Sequence, residues 1–308
     1  MVGGRSTEAA MLQFDERAMK RARRDAADEN RANDAPVGSS LEGFTVGEKI
    51  AVEGLGPIDI QSFTQRNWSR VGVATGPAGE KYFVKQFIDR VGGRHDKGYN
   101  GDWRTQETLG DRVGSTLRVV PILGRVPDRL ISVSPLIPMQ TIDSIGTATR
   151  KHREPAARVG AALADLLEER RIDDEHVAVW KGLDPKNVGW TEDGDLWLFD
   201  FGPLAELETA EAAARVMAAG LLSRWVARPG FHLVWPERGI LRGVCEPVAR
   251  FTDYERVLAE LRQHAELRLR EPQRVGIAAT ATRLGLRTLG RIHWWAVERE
   301  ARRLFTDA

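Results

Sequence analysis

The sequence predicts an α+β fold in which a β-rich half precedes a helix-rich half. Residues 44–140 contain short runs of Val, Ile and Phe broken by Gly, Pro and Asp, which is typical of strands joined by turns. Residues 154–171 and most of 205–305 have helical character. Because strands and helices are segregated along the chain, this order favours α+β. A chain of 308 residues, 42% of them hydrophobic, is long enough to bury a large core.

The strands of the first half are predicted from two pairs of apolar runs. Ser69–Thr75 and Lys81–Phe87 flank the turn residues Gly76–Gly79 and predict a hairpin. Leu117–Leu123 and Arg129–Pro135 predict a second strand pair. Both pairs fall within the β-rich half.

The helices of the second half begin with residues 154–171. Val159, Leu163 and Leu166 fall on one face at helical spacing, and Pro155 stands in the first turn, where proline is tolerated. A further helix is predicted over Ala205–Leu222, which is rich in strong helix formers.

Composition excludes several classes of protein. The formal net charge is +1, so no overall field favours nucleic acid or a membrane. A single cysteine, Cys245, excludes an internal disulfide framework, and the six histidines show no metal-ligand spacing. No apolar run approaches the roughly 18 residues needed for a transmembrane segment. With no secretory signal in the sequence, we expect a soluble cytoplasmic protein.

The two ends of the chain carry separate expectations. Residues 1–42 are polar and alanine-rich, and predict a flexible or helical N-terminal extension. Near the other end, arginines recur at four-residue steps with Trp295 in the remaining slot: Arg283, Arg287, Arg291, Arg299 and Arg303. This stripe fits either an anionic partner, such as nucleic acid or a membrane surface, or a solvated helix face paired with Glu298 and Glu300.

The most informative segment runs from Trp180 to Gly202. Asn187 is followed by two alternating runs, Gly189–Thr191 and Asp195–Phe199, around the turn Glu192-Asp193-Gly194. Asp200 follows directly. A hairpin of this length brings Asn187 and Asp200 to the same edge, where their oxygens are ligands of the kind that Mg²⁺ prefers.

These residues resemble those of the protein-kinase-like fold, closest to the aminoglycoside phosphotransferase-type small-molecule kinases. The resemblance implies a site for ATP and Mg²⁺. Lys85, at the end of the strand Tyr82-Phe-Val-Lys85, would contact the α- and β-phosphates. Glu107 would orient that lysine, and Asn187 and Asp200 would bind the metal.

The resemblance covers roughly residues 44–270 and implies a two-lobed chain. The expected N-lobe spans 43–140 and is rich in strands. The expected C-lobe spans 141–308, is helical and includes a C-terminal amphipathic helix.

The catalytic loop departs from the pattern of such kinases, which is His-Gly-Asp-Leu-His-Pro-Gly-Asn. Trp180 replaces the first histidine, and Gly182 replaces the aspartate that accepts the substrate proton. Asp184, two residues on, is the candidate displaced acid/base, and Lys186 or Lys181 would neutralise phosphate charge. The other interpretation of Asp184 is a loop carboxylate that caps backbone amides.

The phosphate-covering lid also departs from the pattern. The corresponding segment is Phe63–Val71, in which polar residues replace every expected glycine. Arg66 or Arg70, together with Ser69, would contact phosphate in their place. Gly54-Leu-Gly56 is the other candidate, but it lies far ahead of Lys85.

Three functions remain open from the sequence. The first is an atypical ATP-dependent phosphotransferase, with a small hydroxyl-bearing acceptor because no long phosphorylatable loop fits after Gly202. The second is a pseudokinase that binds nucleotide and acts as a scaffold for a protein partner, which Gly182 favours. The third is a kinase-like nucleotidyltransferase.

Overall fold

The structure is a computed structural model that describes residues 41–66, 68–88, 93–145, 149–227, 235–270 and 294–306. The predicted N-terminal extension lies almost entirely outside these residues, as do Arg283, Arg287 and Arg291 of the arginine stripe. No helix in the described part of the chain is long and apolar enough to cross a membrane.

Strands dominate the first part of the described chain. The strands of the whole described chain are β1 (Lys49–Val52), β2 (Gly56–Gln65), β3 (Arg70–Thr75), β4 (Lys81–Gln86), β5 (Arg112–Val113), β6 (Leu117–Val119), β7 (Gly124–Val126), β8 (Ile131–Pro135), β9 (Gln140–Thr141), β10 (His176–Trp180), β11 (Val188–Trp190), β12 (Leu196–Leu198) and β13 (Leu204–Glu208).

Helices dominate the second part. The helices of the whole described chain are α1 (Asp96–Leu109), α2 (Arg153–Glu169), α3 (Thr209–Ala227), α4 (Trp235–Ala249), α5 (Tyr254–Arg270) and α6 (294–306). Short 3₁₀ turns occupy Pro127–Arg129, Arg150–His152 and Pro185–Asn187. A β-rich N-terminal part and a helical C-terminal part confirm the predicted two-lobed α+β fold.

The N-terminal sheet has six strands in the order β1-β2-β3-β4-β8-β7, paired antiparallel throughout. Its buried face packs Ile58, Ile60, Val84 and Val133 into one apolar cluster. The hairpin of β3 and β4 is confirmed, with Gly79 at φ 89° in its turn. This sheet holds Lys85 and the lid turn in a fixed register.

The second predicted strand pair is wrong. β6 pairs with β5 and, in parallel, with β12, whereas β8 pairs with β4 and β7. Pro121 follows β6 closely and has no N–H to donate to a ladder, so the run Leu117–Leu123 does not continue as one strand. The short β7 takes the place beside β8 that the sequence assigned to that run.

A five-stranded sheet, in the order β5-β6-β12-β11-β9, contains the hairpin that precedes Asp200. The hairpin of β11 and β12 is confirmed, with Gly194 at φ 85° in its turn. This sheet contains strands from both sides of the lobe boundary predicted at residue 140, and that boundary stays a prediction.

The helix predicted from Ala205 begins later, at Thr209. Leu204–Glu208 instead forms β13, antiparallel to β10, with Leu207 buried. The exposed backbone of β10 offers these residues hydrogen bonds that outweigh their helical propensity. The segment after Gly202 remains short, as expected.

The helical part packs around α2, whose predicted bounds are confirmed within two residues. At Gly160, an added Cβ would lie 2.4 Å from the carbonyl oxygen of Gly243 and 2.5 Å from that of Val244. The backbones of α2 and α4 therefore touch directly at this point, which a side chain would prevent.

Two arginines of the stripe, Arg299 and Arg303, lie within the described residues, and their contacts favour the interpretation of the stripe as a solvated helix face. Arg299 lies 4.9 Å over the ring of Trp295, and Arg303 donates to the buried Glu300 at 2.8 Å. Both arginines therefore have partners within α6.

Candidate active site

A cavity of about 310 Å³ opens between the N-terminal sheet and the segment Phe199–Phe201 that follows β12. Lys85, Asp102 and Asp200 form a charged cluster in its wall, called the charged end below, and much of the remaining lining is apolar. The apolar lining includes Val71, Phe83, Val120, Leu136, Ile137, Met139 and Phe199. A largely apolar site with a charged cluster in its wall suits a ligand with a flat ring and an anionic tail.

Lys85 is the central cation of the charged end. Its ammonium lies 2.5 Å from Oδ1 of Asp200 and 3.6 Å from Oδ1 of Asp102. Burial opposes the charge, but the two carboxylates raise the pKa of Lys85 above its ordinary value, so it stays protonated. The structure thus brings Lys85 and Asp200 together as the resemblance implied.

Glu107 does not join this cluster, and the expected ion pair with Lys85 is corrected. Glu107 lies on the exposed side of α1. The α1 carboxylate that reaches Lys85 is Asp102, which is 5% exposed. The spacing Tyr99, Asp102, Thr105 and Leu109 marks the buried face of the helix and would have pointed to Asp102.

Asp200 has a left-handed backbone, with φ 61°. Its side chain is half exposed to the cavity. Burial alone would raise the pKa of Asp200, but the charges of Lys85, Lys186 and Arg66 lower it overall, so the carboxylate is ionised. Three cations around one carboxylate make this end of the cavity suited to phosphate as well as metal.

Asp102 joins α1 to the residue after Asp200. Its Oδ1 accepts a hydrogen bond from the backbone N–H of Phe201 at 2.9 Å. Burial raises the pKa of Asp102 to about 6, although Lys85 acts in the opposite direction. Its partners Lys85 and Phe201 were not predicted from the sequence, because they lie far from it in the chain.

The lid is the turn between β2 and β3, closed by the N–H of Arg66 donating to the carbonyl of Ser69 at 2.7 Å. Arg66 and Ser69 both line the cavity. Arg70, the other predicted phosphate contact, instead donates to the carbonyl of Phe44 at 2.7 Å and to Oε1 of Gln65 at 3.0 Å. Arg70 therefore supports the base of the lid.

Trp180 and Gly182 are the departures in the catalytic loop. Trp180 is buried and packs edge-on against Phe201, with ring centroids 5.6 Å apart. Gly182 is exposed, and a Cβ built there would meet only Cδ1 of Trp180, at 3.8 Å. The place of the usual base is therefore empty space that a side chain would fit.

Asp184 lies at the N-cap of the turn Pro185–Asn187. It accepts from the backbone N–H of Lys186 at 2.9 Å, and its Oδ2 lies 2.8 Å from Nζ of the same lysine. Only 7% of the residue is exposed. The geometry is that of the capping interpretation, and both Asp184 and Lys186 are engaged with each other.

We expect Asp184→Asn to preserve the stability of the fold, because asparagine is an equally good N-cap. Asp184→Ala should lower the free energy of unfolding by about 1 kcal/mol. Urea unfolding of both variants checks this. An Asp184→Asn variant that is as unstable as Asp184→Ala would mean that the ion pair with Lys186, and not the cap, is what the carboxylate contributes.

Asn187 is buried and tied to both parts of the loop. The side-chain Nδ2 of Asn187 donates to the carbonyl of Gly182 at 3.4 Å, and the backbone carbonyl of Asn187 accepts from the N–H of Phe199 at 3.0 Å. The second bond links the loop to the strand that precedes Asp200. Its role as a metal ligand, like that of Asp200, stays a prediction.

Asp200 lines the cavity and, with Asn187, carries oxygen atoms of the kind that a hard divalent cation takes as ligands. A half-exposed carboxylate and a side-chain amide oxygen are ligands that suit Mg²⁺, which takes its remaining ligands from water and phosphate. Within the described residues there is no cluster of three or more His, Cys, Asp or Glu that could hold a metal by itself.

The element order, with the lid turn, Lys85 and Asp200 around one cavity, is the arrangement that the resemblance to the protein-kinase-like fold implied. No protein-family model matches the chain, and no curated protein matches it in sequence.

Three solved structures are similar to the chain at low identity. An amicoumacin kinase in complex with AMP-PNP, Ca²⁺ and Ami is 12% identical, with a TM-score of 0.45 over 96% of each chain. A macrolide 2'-phosphotransferase from Brachybacterium faecium is 16% identical, with a TM-score of 0.38 over 89% of this chain and 98% of that chain. A spectinomycin phosphotransferase in complex with ADP and spectinomycin is 10% identical, with a TM-score of 0.42 over 81% and 93%. Likenesses at this level say nothing about substrate or activity.

Proposed function

We propose that the cavity binds ATP with Mg²⁺ and that the chain is an atypical phosphotransferase acting on a small hydroxyl-bearing molecule. The observation that carries the proposal is the arrangement of Lys85 between Asp102 and Asp200 at the charged end of an otherwise apolar cavity. The adenine ring would occupy the apolar part, and the phosphates would lie between Lys85 and the lid.

The residues of this chain would act mainly by positioning and charge. Lys85 and the lid residue Arg66 would hold phosphate oxygens, and Asp200 with Asn187 would hold the cation that neutralises them. Phosphoryl transfer depends on these effects more than on proton removal, so slow turnover is compatible with Gly182.

A nucleotide-binding scaffold without turnover is the second candidate. Gly182 cannot accept a proton, and Asp184 is committed to its cap and to Lys186. Product analysis separates the candidates: ADP formation indicates phosphoryl transfer, pyrophosphate indicates nucleotidyl transfer, and bound but unchanged ATP indicates a scaffold.

Thermal unfolding with ATP and Mg²⁺ tests the binding. At about 100 times its dissociation constant, a ligand stabilises the folded state by about 2.7 kcal/mol, which should raise Tm by roughly 5 °C. Asp200→Asn should lose the Mg²⁺-dependent part of this rise. Asparagine is the matched substitution because it also tolerates the left-handed φ of 61°.

Two outcomes would contradict the proposal. Wild-type protein that shows no rise in Tm at millimolar ATP does not bind nucleotide in this cavity. An equal Mg²⁺-dependent rise in wild type and Asp200→Asn would remove Asp200 from the metal site.

A further inference from the structure

Helix α1 is joined to the segment Asp200–Pro203 at three points. Asp102 accepts from the N–H of Phe201 at 2.9 Å, and the hydroxyl of Thr105 donates to the carbonyl of Gly202 at 2.6 Å. At Gly101, an added Cβ would lie 2.7 Å from the backbone nitrogen of Pro203. Helix and segment therefore approach as closely as their backbones allow.

Asp200 adopts a left-handed φ of 61°, which a non-glycine residue tolerates less well than the right-handed region. The surrounding structure therefore has to hold this conformation. The two hydrogen bonds to α1 fix the first and the third peptide units after Asp200, Asp200–Phe201 and Gly202–Pro203. Asp102 and Thr105 are 5% and 1% exposed, so water does not compete for either bond.

We propose that Asp102 and Thr105 are positioning residues that hold Asp200 in the orientation that binds the cation of the metal–nucleotide complex. This inference rests on the proposed nucleotide function. Because Asp102 also lies 3.6 Å from Lys85, α1 connects the phosphate-binding lysine with the metal-binding aspartate. Nucleotide and metal binding are then coupled through α1.

The hydroxyl of Thr105 offers the sharper test, because it can be removed without changing the shape of the side chain. Thr105→Val deletes the donor to Gly202, and Thr105→Ser retains it. Thr108→Val is the matched control, since the Thr108 hydroxyl is exposed and donates to the carbonyl of Arg104 within the same helix, at 2.7 Å.

The first readout needs no nucleotide. Amide hydrogen exchange at Phe201 should become about tenfold faster in Thr105→Val, because the hydrogen bond that holds the Gly202 carbonyl in the same segment is lost. The rate in Thr108→Val should stay at the wild-type value, and Thr105→Ser should restore it.

The second readout is the coupling between metal and nucleotide. The ratio of ADP dissociation constants without and with Mg²⁺, measured by calorimetry, should fall about tenfold in Thr105→Val and recover in Thr105→Ser. A role limited to stability would lower Tm and leave this ratio unchanged.

The outcomes separate this inference from the proposed function. If wild-type protein binds no ADP, the proposed function fails, and Phe201 exchange alone decides whether α1 holds the segment. If Thr105→Val keeps both the exchange rate and the ratio within about twofold of Thr108→Val, the inference is overturned. If Thr105→Val does not fold, the same two readouts on Thr105→Ala, which also lacks the donor to Gly202, decide the question.

Discussion

Gly182→Asp should increase the rate of ADP formation from ATP by about 100-fold, because a positioned general base contributes roughly 10²–10⁴ to such reactions. The structure has room for the change. The φ of Gly182 lies outside the left-handed region, and a Cβ would have its nearest contact at 3.8 Å. The new carboxylate would stand at the position of the base in the kinases that the loop resembles.

Gly182→Asn is the control, because it adds the same volume without a basic group. Thermal shifts with ATP and Mg²⁺ should be equal in wild type and in both variants. A gain in Gly182→Asp alone shows that the remaining site is competent and lacks only its base. An unchanged rate, with binding intact, would show that the loop does not place residue 182 at the reacting phosphate.

Local pattern was sufficient for the parts of the site that lie on strands and turns. The β3–β4 hairpin, which carries Lys85, and the β11–β12 hairpin, which precedes Asp200, were predicted from the sequence. Each has a turn with a glycine in the left-handed region, and such turns are recognisable from local sequence. Gly79 and Gly194 are those turn residues.

Contacts between distant segments were not accessible from local pattern. Helical spacing places Asp102 on the buried face of α1, but its partners Lys85 and Phe201 lie far from it in the chain and could not be read from that spacing. β13 was not predicted, because the strand that pairs with it, β10, lies about 30 residues earlier in the chain. Partners of this kind follow from tertiary packing, which outweighs intrinsic propensity.

Lys85→Met should lower the free energy of unfolding at pH 8 by about 3 kcal/mol, because removal of one partner leaves a buried charge uncompensated. That charge is Asp102. In the wild-type protein burial already raises the pKa of Asp102 to about 6, and Lys85 is the cation that keeps it from rising further. Asp200 loses the same partner, but the charges of Lys186 and Arg66 still act on it.

The loss in Lys85→Met should be much smaller at pH 5. A carboxyl with a raised pKa in the folded state binds its proton more tightly there than in the unfolded chain. Between the unfolded value near 4 and the raised folded value, stability therefore falls as pH rises. At pH 5 Asp102 is mostly protonated in both proteins, so the missing ammonium matters less.

The double variant Lys85→Met/Asp102→Asn isolates this effect. Asparagine keeps an oxygen for the N–H of Phe201 and removes the buried charge. Urea unfolding at pH 5 and pH 8 should show that the double variant recovers most of the stability lost at pH 8 and has a flatter pH dependence. A deficit in Lys85→Met that is equal at both pH values, or that persists in the double variant, would mean that packing of the lysine stem is what stabilises this end of the cavity.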